Sequence, residues 1–600
     1  MTTTMKRLVL STSILAIATG AIAGVAWGNG GGSDDWEEDR FTPEPFLLTT
    51  TSLGGATPAR GAAPYLTASR IAAVGEGALA SDADSGYLIL TDVTGKNVAQ
   101  LAIGGDAALL AFDPAAQRAY VADRRGDRVV VVDVGDAKLA VEASWKTPAE
   151  PYGVALSPDR ATLYVSTIAD RTLVAFETAT GHERWRAPLS SEPRGLAVSP
   201  DGSRVVVASL TSGAVDEIVL GERKRSHRVA LPAFTRQHAR GAFSVAFVGD
   251  HAVVPYHLSV PIAEQIETAD HYGGGFRPPI TQHLAWLGGD GRSAVAQTNV
   301  VEPRAIAWNA ERDVMYVVGM ASDHVVTVKK ASQTDPIKSI TVGLTPGCGA
   351  DGLAITPKGN VLVWCSFKRS ITRIPPKGSK VERGSELVAS GLSAELQAGR
   401  SLFHAGTFHS STRGAMSCGS CHLDGRADGL SWQIQKEALQ TPVLGGRLVG
   451  TAPYKWDGKA ADLPTSVRAT IKRLGGDGLS KRDVKLLVGF LESIPAPRTP
   501  TRDASAVARG KALFESSELG CVTCHDGPAL TDRDTHDLAG TFDTPGLGSL
   551  AASAPYFHDG SAPTLETVLL DRGRVHGMSA PATRLRGRDL ADLVAFLETR

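Results

Sequence analysis

Cysteine is scarce in this chain: only six of its 600 residues. Four of the six fall in two five-residue clusters, and none lies near the N-terminal cleavage region, which excludes a lipid anchor on a new N-terminal cysteine. Charge of either sign is not in excess, the formal net charge being -1, so no polyelectrolyte partner is implied. A basic stripe with interleaved aromatics is also missing, and with it the ordinary footprint of a nucleic-acid binder. What length does supply is room for several cores, since one core rarely holds so many residues.

Lys6 and Arg7 precede an apolar run from Leu8 to about Trp27, with small residues at Ala21 and Ala23. This reads as a secretory signal over residues 1–27, hence a periplasmic or secreted protein. The run is nearly long enough to span a bilayer, so a membrane association follows only if the signal stays uncleaved; its wealth of Ala, Gly, Ser and Thr argues against that. Residues 28–65 read as a flexible leader and a lead-in strand, the first part being glycine-rich and then acidic.

Residues 66–376 repeat themselves. Pro151-Tyr-Gly-Val-Ala-Leu-Ser-Pro-Asp159 returns 42 residues later as Pro193-Arg-Gly-Leu-Ala-Val-Ser-Pro-Asp201, a period proper to propeller blades. Weaker copies start at Leu109, Pro303 and Gly349. Each is a short alternating strand, a turn with Pro, Asp, Asn or Gly, and a second strand. Such sheets bury both faces only by stacking radially, so the fold class is an all-β propeller of about seven blades, followed by two all-α domains. The repeat resembles the YVTN-type β-propeller, and it lacks the tryptophan-rich blade motifs that go with a quinone cofactor. The segment His257–Asn299 reads as an insertion too long for an ordinary loop, and His257, His271 and His283 within it read as solvated or structural. Cys348 and Cys365 flank one predicted hairpin and suit a disulfide in an oxidising compartment.

The four remaining cysteines form Cys418-Gly419-Ser420-Cys421-His422 and Cys521-Val522-Thr523-Cys524-His525. Two cysteines at this spacing can each add a thiol to one vinyl group of a haem, and the histidine that follows can bind the iron. A zinc half-site or a dithiol redox pair shares the cysteine spacing. Zinc calls for further ligands nearby, however, and a redox pair does not call for the histidine. The expected cofactors are therefore two covalently bound haem c groups. Around each motif the period is helical: Leu396, Gly399 and Phe403 share a helix face that Val507, Gly510 and Phe514 repeat. Matching amphipathic segments close both units at Arg482–Glu492 and Arg588–Glu598. Two cytochrome c-like domains are expected, at 390–494 and 501–600.

Both units also carry a shared segment, Thr451-Ala-Pro-Tyr-Lys-Trp-Asp-Gly458 and Ser553-Ala-Pro-Tyr-Phe-His-Asp-Gly560. With the tandem haem motifs, these resemble the bacterial dihaem cytochrome c peroxidase and MauG family over residues 390–600. The resemblance implies one haem for peroxide chemistry and another that delivers electrons, with Trp456 matching the tryptophan between them and His558 matching the family's second-segment histidine. Calcium is implied by that resemblance alone. It also implies a small redox protein as donor or acceptor, and peroxide or another small molecule as substrate. The departures are specific. Leu423–Trp432 carries no distal histidine after the first motif, and Ser466–Gly476 carries no Asn-Pro-x-Glu, whose glutamate acts as acid and base in those peroxidases. Near the C-terminal helix, Met578, with His576 as its rival, is expected as the second haem's sixth ligand; the alternatives are Tyr556, which the resemblance implies because a tyrosine serves this role in MauG-like relatives, and no protein ligand at all.

Overall fold

The computed structural model describes residues 48–50, 69–221, 224–261, 278–333, 336–376, 380–407, 409, 411, 416–434, 437–538, 540–570 and 585–600. The signal sequence, most of the leader, His271, His576 and Met578 lie outside the described residues. Among the described residues no helix is long and apolar enough to cross a membrane.

Seven antiparallel sheets make the blades of the propeller. Their innermost strands are Ile71–Val74, Ala107–Asp113, Pro151–Leu156, Pro193–Val198, Ala246–Val248, Pro303–Asn309 and Ala350–Ile355, and each touches the next around a closed ring. These strands are buried almost throughout, as blades stacked on both sides require. The ring closes between blades 7 and 1 without a shared strand. Ser69 Oγ accepts from the Leu353 amide at 3.0 Å, and Arg70 Nε donates to Asp351 at 2.5 Å. The expected disulfide joins Cys348 to Cys365 within blade 7.

Blade 5 departs from the expected insertion. Most of the described residues of His257–Asn299 are sheet: His251–Ser259, Ile280–Leu287 and Ser293–Thr298 pair in sequence, and Leu48–Thr50 adds a further strand at the edge. His257 and His283 are strand residues, each nearly sealed from water. Burial pushes their imidazoles down to about 3 and about 4, so both stay neutral. Residues 262–277, which separate the two longer strands, lie outside the described set.

After the propeller in the chain, the described residues hold seven α-helices: α1 (Ala394–His404), α2 (Cys418–Cys421), α3 (Leu463–Arg473), α4 (Lys481–Ser493), α5 (Ala504–Phe514), α6 (Leu565–Leu570) and α7 (Gly587–Leu597). α1 crosses α4 and α5 crosses α7. Glycine permits both crossings: a β-carbon on Gly399 would come 2.2 Å from the Leu486 carbonyl oxygen, and one on Gly510 would come 1.9 Å from that of Asp592. The paired phenylalanines Phe403–Phe490 and Phe514–Phe596 fill the space beside each crossing, ring centres 5.5 and 5.2 Å apart. These are two helical units of one design.

Candidate functional site

Ser417 caps α2 by accepting from the Ser420 amide, and this single turn holds Cys418 and Cys421 with His422 at its end. His422 Nδ1 lies 3.0 Å from the Pro442 carbonyl oxygen. A carbonyl only accepts, so Nδ1 carries the proton and Nε2 is left as the ligating nitrogen. The second motif repeats the device, His525 Nδ1 standing 3.0 Å from the Leu530 carbonyl. Burial pushes the Cys418 thiol up to about 11 and raises the Cys421 thiol well above its ordinary range. None of the four motif cysteines is joined in a disulfide, so the thiols that add to haem vinyl groups are present at both motifs. The donor set fits covalent haem at both motifs. Among the described residues the one group of three metal-ligating side chains is Cys524, Asp532 and His536. It has a single carboxylate and is not the oxygen cage calcium takes.

The two shared segments are built alike. In each a tyrosine hydroxyl donates to the backbone carbonyl six residues earlier, Tyr454 to Leu448 at 2.7 Å and Tyr556 to Leu550 at 2.9 Å. The segments then reach across to the opposite unit. The Asp543 amide donates to the Trp456 carbonyl at 2.9 Å, and the Gln440 amide donates to the His558 carbonyl at 2.6 Å. Gln440 ends a hairpin of the first unit (Ser431–Ile434 with Glu437–Gln440), and Asp543 ends one of the second (Thr535–Asp537 with Thr541–Asp543). Each unit thus clasps the other's segment in the same way. Trp456 Nε1 donates to the Gln440 carbonyl at 3.3 Å, which ties the indole to the seam. His558 lies against Phe542, ring centres 4.4 Å apart, and its Nδ1 is buried without a hydrogen-bond partner.

The propeller enters the site by a route the motifs alone do not show. Three blades open with Glu-Pro: Glu150, Glu192 and Glu302, all at left-handed φ of 64°, 55° and 50°, an unusual posture before proline. The carboxylates of Glu150 and Glu192 receive the turn that follows the first haem motif. Arg426 donates to Glu192 at 2.8 Å and also to Glu150, while Arg304 donates to Asp424 at 2.7 Å. Arginines facing Asp424 hold its carboxyl far below the usual range despite burial. Leu423 packs on Leu210 and Phe243 of the propeller. Glu302 accepts from the capping Ser417 hydroxyl and pairs with His404 Nδ1 of α1 at 2.7 Å. The signal available in sequence was the glutamate immediately before each repeated proline.

The class these features define is a seven-bladed propeller joined to two cytochrome-like helical units. No family model matches the chain. Curated relatives match its C-terminal part. It is 28% identical over 265 residues to the methylamine utilization protein MauG of Methylorubrum extorquens, covering 32% of this chain and 73% of that protein. It is 25% identical over 259 residues to the hydrazine synthase subunit gamma of Kuenenia stuttgartiensis (31% and 73%), and 25% identical over 258 residues to the cytochrome c551 peroxidase of Nitrosomonas europaea (32% and 75%). Among solved structures, Kuenenia stuttgartiensis hydrazine synthase aligns over 54% of this chain and 99% of that one, at 16% identity and a TM-score of 0.41. At that level the likeness extends to neither substrate nor activity.

Proposed function

We propose that this protein is an exported dihaem c-type oxidoreductase of the peroxidase and MauG kind, working in the periplasm or outside the cell. Cys418 and Cys421 would hold one haem and Cys521 and Cys524 the other, with His422 and His525 as proximal ligands. Haem iron supplies one-electron exchange between its ferric and ferrous states. The observation that carries the reading is the reciprocal clasp, because it sets Trp456 on the seam between two equivalent units, where electrons would cross. His558, with its unpartnered buried nitrogen, would order a propionate or solvent at the second site. Met578 is the proposed sixth ligand there. A small redox protein would be donor or acceptor, and peroxide or another small molecule the substrate of the first site. The propeller would be a docking or substrate-binding platform for a donor or a protein substrate, and it meets the first helical unit through Glu150, Glu192 and Glu302.

Haem content tests it. Protein matured in a host able to attach haem c should carry two haems per chain, and Cys418→Ala with Cys421→Ala should carry one; one or none in the parent would overturn the reading. A second reading, an electron carrier without substrate chemistry, is favoured by one observation: no carboxylate lies between Ser466 and Gly476, and general acid-base help contributes about 10² to 10⁴ in rate. Failure of the reduced protein to consume peroxide with any donor would select the carrier.

A further inference from the structure

The two shared segments differ at one position in a way that matters for charge. Where the second unit has Phe557, the first has Lys455. Its ammonium donates to Thr470 Oγ1 at 2.5 Å. Thr470 and Arg473 stand three residues apart on α3 and so share a helix face. Arg473 Nε is buried and has no hydrogen-bond partner. Asp457, the adjacent acid in the chain, is already paired with Lys459 at 2.7 Å. Among the described residues, neither Lys455 nor Arg473 has a carboxylate in ion-pair contact.

These two half-buried cations repel each other, and the carboxylates that act on them, Asp457 on both and Glu437 on Arg473, do so without an ion-pair contact. Burial, and then the Arg473 charge, push Lys455 down to about 8; burial also lowers Arg473. A cation without a close counter-ion is costly to the extent that it is buried, and a bound anion relieves both cations together. The position is equally telling. Lys455 adjoins Trp456, whose Nε1 donates to the Gln440 carbonyl at 3.3 Å, two residues before the Pro442 carbonyl that His422 Nδ1 meets at 3.0 Å. The cationic pair therefore stands beside the first haem motif, and the second unit carries phenylalanine at the position of this lysine.

We propose that Lys455, Thr470 and Arg473 form an anion-binding site beside the first haem, taking one small monoanionic group. This rests on the reading of Cys418–His422 as a haem site. The shared chemistry has two sources: a propionate of that haem, or a diffusible anion drawn to it.

The test uses the ferric holoprotein, titrated separately with azide, an anion, and with imidazole, a neutral ligand, each followed by its absorption change. A diffusible-anion site predicts that Lys455→Gln and Arg473→Gln each weaken azide by about ten-fold or more, with imidazole unchanged. Lys455→Arg should restore azide binding and shows that the pocket still folds. Lys472→Gln, an exposed neighbour on the same helix, should alter neither. A site filled by propionate predicts unchanged azide affinity but shifted propionate carboxylate bands in the reduced-minus-oxidised infrared difference spectrum of both Gln variants. Unchanged azide binding together with unchanged carboxylate bands overturns the proposal. So does azide binding that strengthens in Lys455→Gln, which would mean that the amine itself occupies the open position. Absence of haem at the first motif would defeat the haem reading instead, and the haem count separates the two failures.

Discussion

Glu192, from the fourth blade, and Arg426, from the turn after the first Cys-x-x-Cys-His, meet at 2.8 Å with the arginine side chain only 4% exposed. The same guanidinium also reaches Glu150, which Arg124 contacts at 2.7 Å. Propeller and first helical unit are thus joined by charges that water does not reach. Removing one partner of such a pair leaves the others uncompensated, and that is where its energetic weight lies.

Arg426→Ala is therefore expected to destabilise the joint between propeller and helical unit by about 3 to 5 kcal/mol. The measurement is thermal unfolding of the holoprotein beside the rate of protease cleavage in the linker Ile494–Pro500. Faster cleavage and a lower midpoint are the expected results. Arg498→Ala, which removes a more exposed pair with Asp127, should cost no more than about 1 kcal/mol.

The helix crossings make the second prediction. Gly510→Ala would drive a β-carbon into the Asp592 carbonyl, and Gly399→Ala would drive one into that of Leu486. Backbone cannot yield as a side-chain tip does, so each substitution is expected to cost at least the ~1 to 3 kcal/mol of ordinary overpacking. The effects should separate by unit. Gly510→Ala should lower haem occupancy at the second motif and spare the first, and Gly399→Ala should do the reverse, as read by haem stoichiometry in each cysteine-knockout background.

How far these features could be read in the sequence depended on their range. The 42-residue period, the repeated glycines and the paired haem motifs are local patterns, and the propeller, the two helical units and the Cys348–Cys365 pairing follow from them. Blade 5 was obscured because its strands carry His257, Gln282 and His283 at buried positions, which break the apolar alternation that marks a strand. The clasp at Gln440 and Asp543 joins backbone groups about a hundred residues from their partners, and backbone bonds leave no residue-type signature. Glu150, Glu192 and Glu302 were visible as residues, but their partners Arg426 and Ser417 sit in another domain, and no local pattern couples them.

A pH dependence follows at the seam. Burial, and then the neighbouring Asp532 carboxylate, push Asp543 up to about 7. An acid whose folded value lies above its unfolded one, about 3.9, binds more protons folded than unfolded between the two. Its contribution to stability is then fully present below about pH 4 and is lost as pH rises through 7. Asp543→Asn is expected to remove that share of the slope in urea unfolding between pH 4 and 7 and to stabilise the protein above pH 7. An unchanged slope would show that Asp543 ionises freely beside Trp456.

The last prediction concerns the second haem's sixth ligand, for which Met578, His576 and Tyr556 compete in sequence. The tyrosine is the one whose surroundings are described. Its hydroxyl donates to the Leu550 carbonyl at 2.9 Å, as Tyr454 donates to Leu448 at the equivalent place in the first unit. A hydroxyl doing the same structural work in both units has no feature peculiar to the second site, and binding iron would require it to leave that bond. Methionine sulfur raises the potential relative to a second histidine, which suits a haem that accepts electrons and passes them on. Met578→Ala is expected to abolish a near-infrared sulfur-to-iron band in the oxidised protein, while His576→Ala and Tyr556→Phe keep it. Retention of the band in Met578→Ala, or its absence from the parent, would remove the basis for treating the second site as the high-potential one.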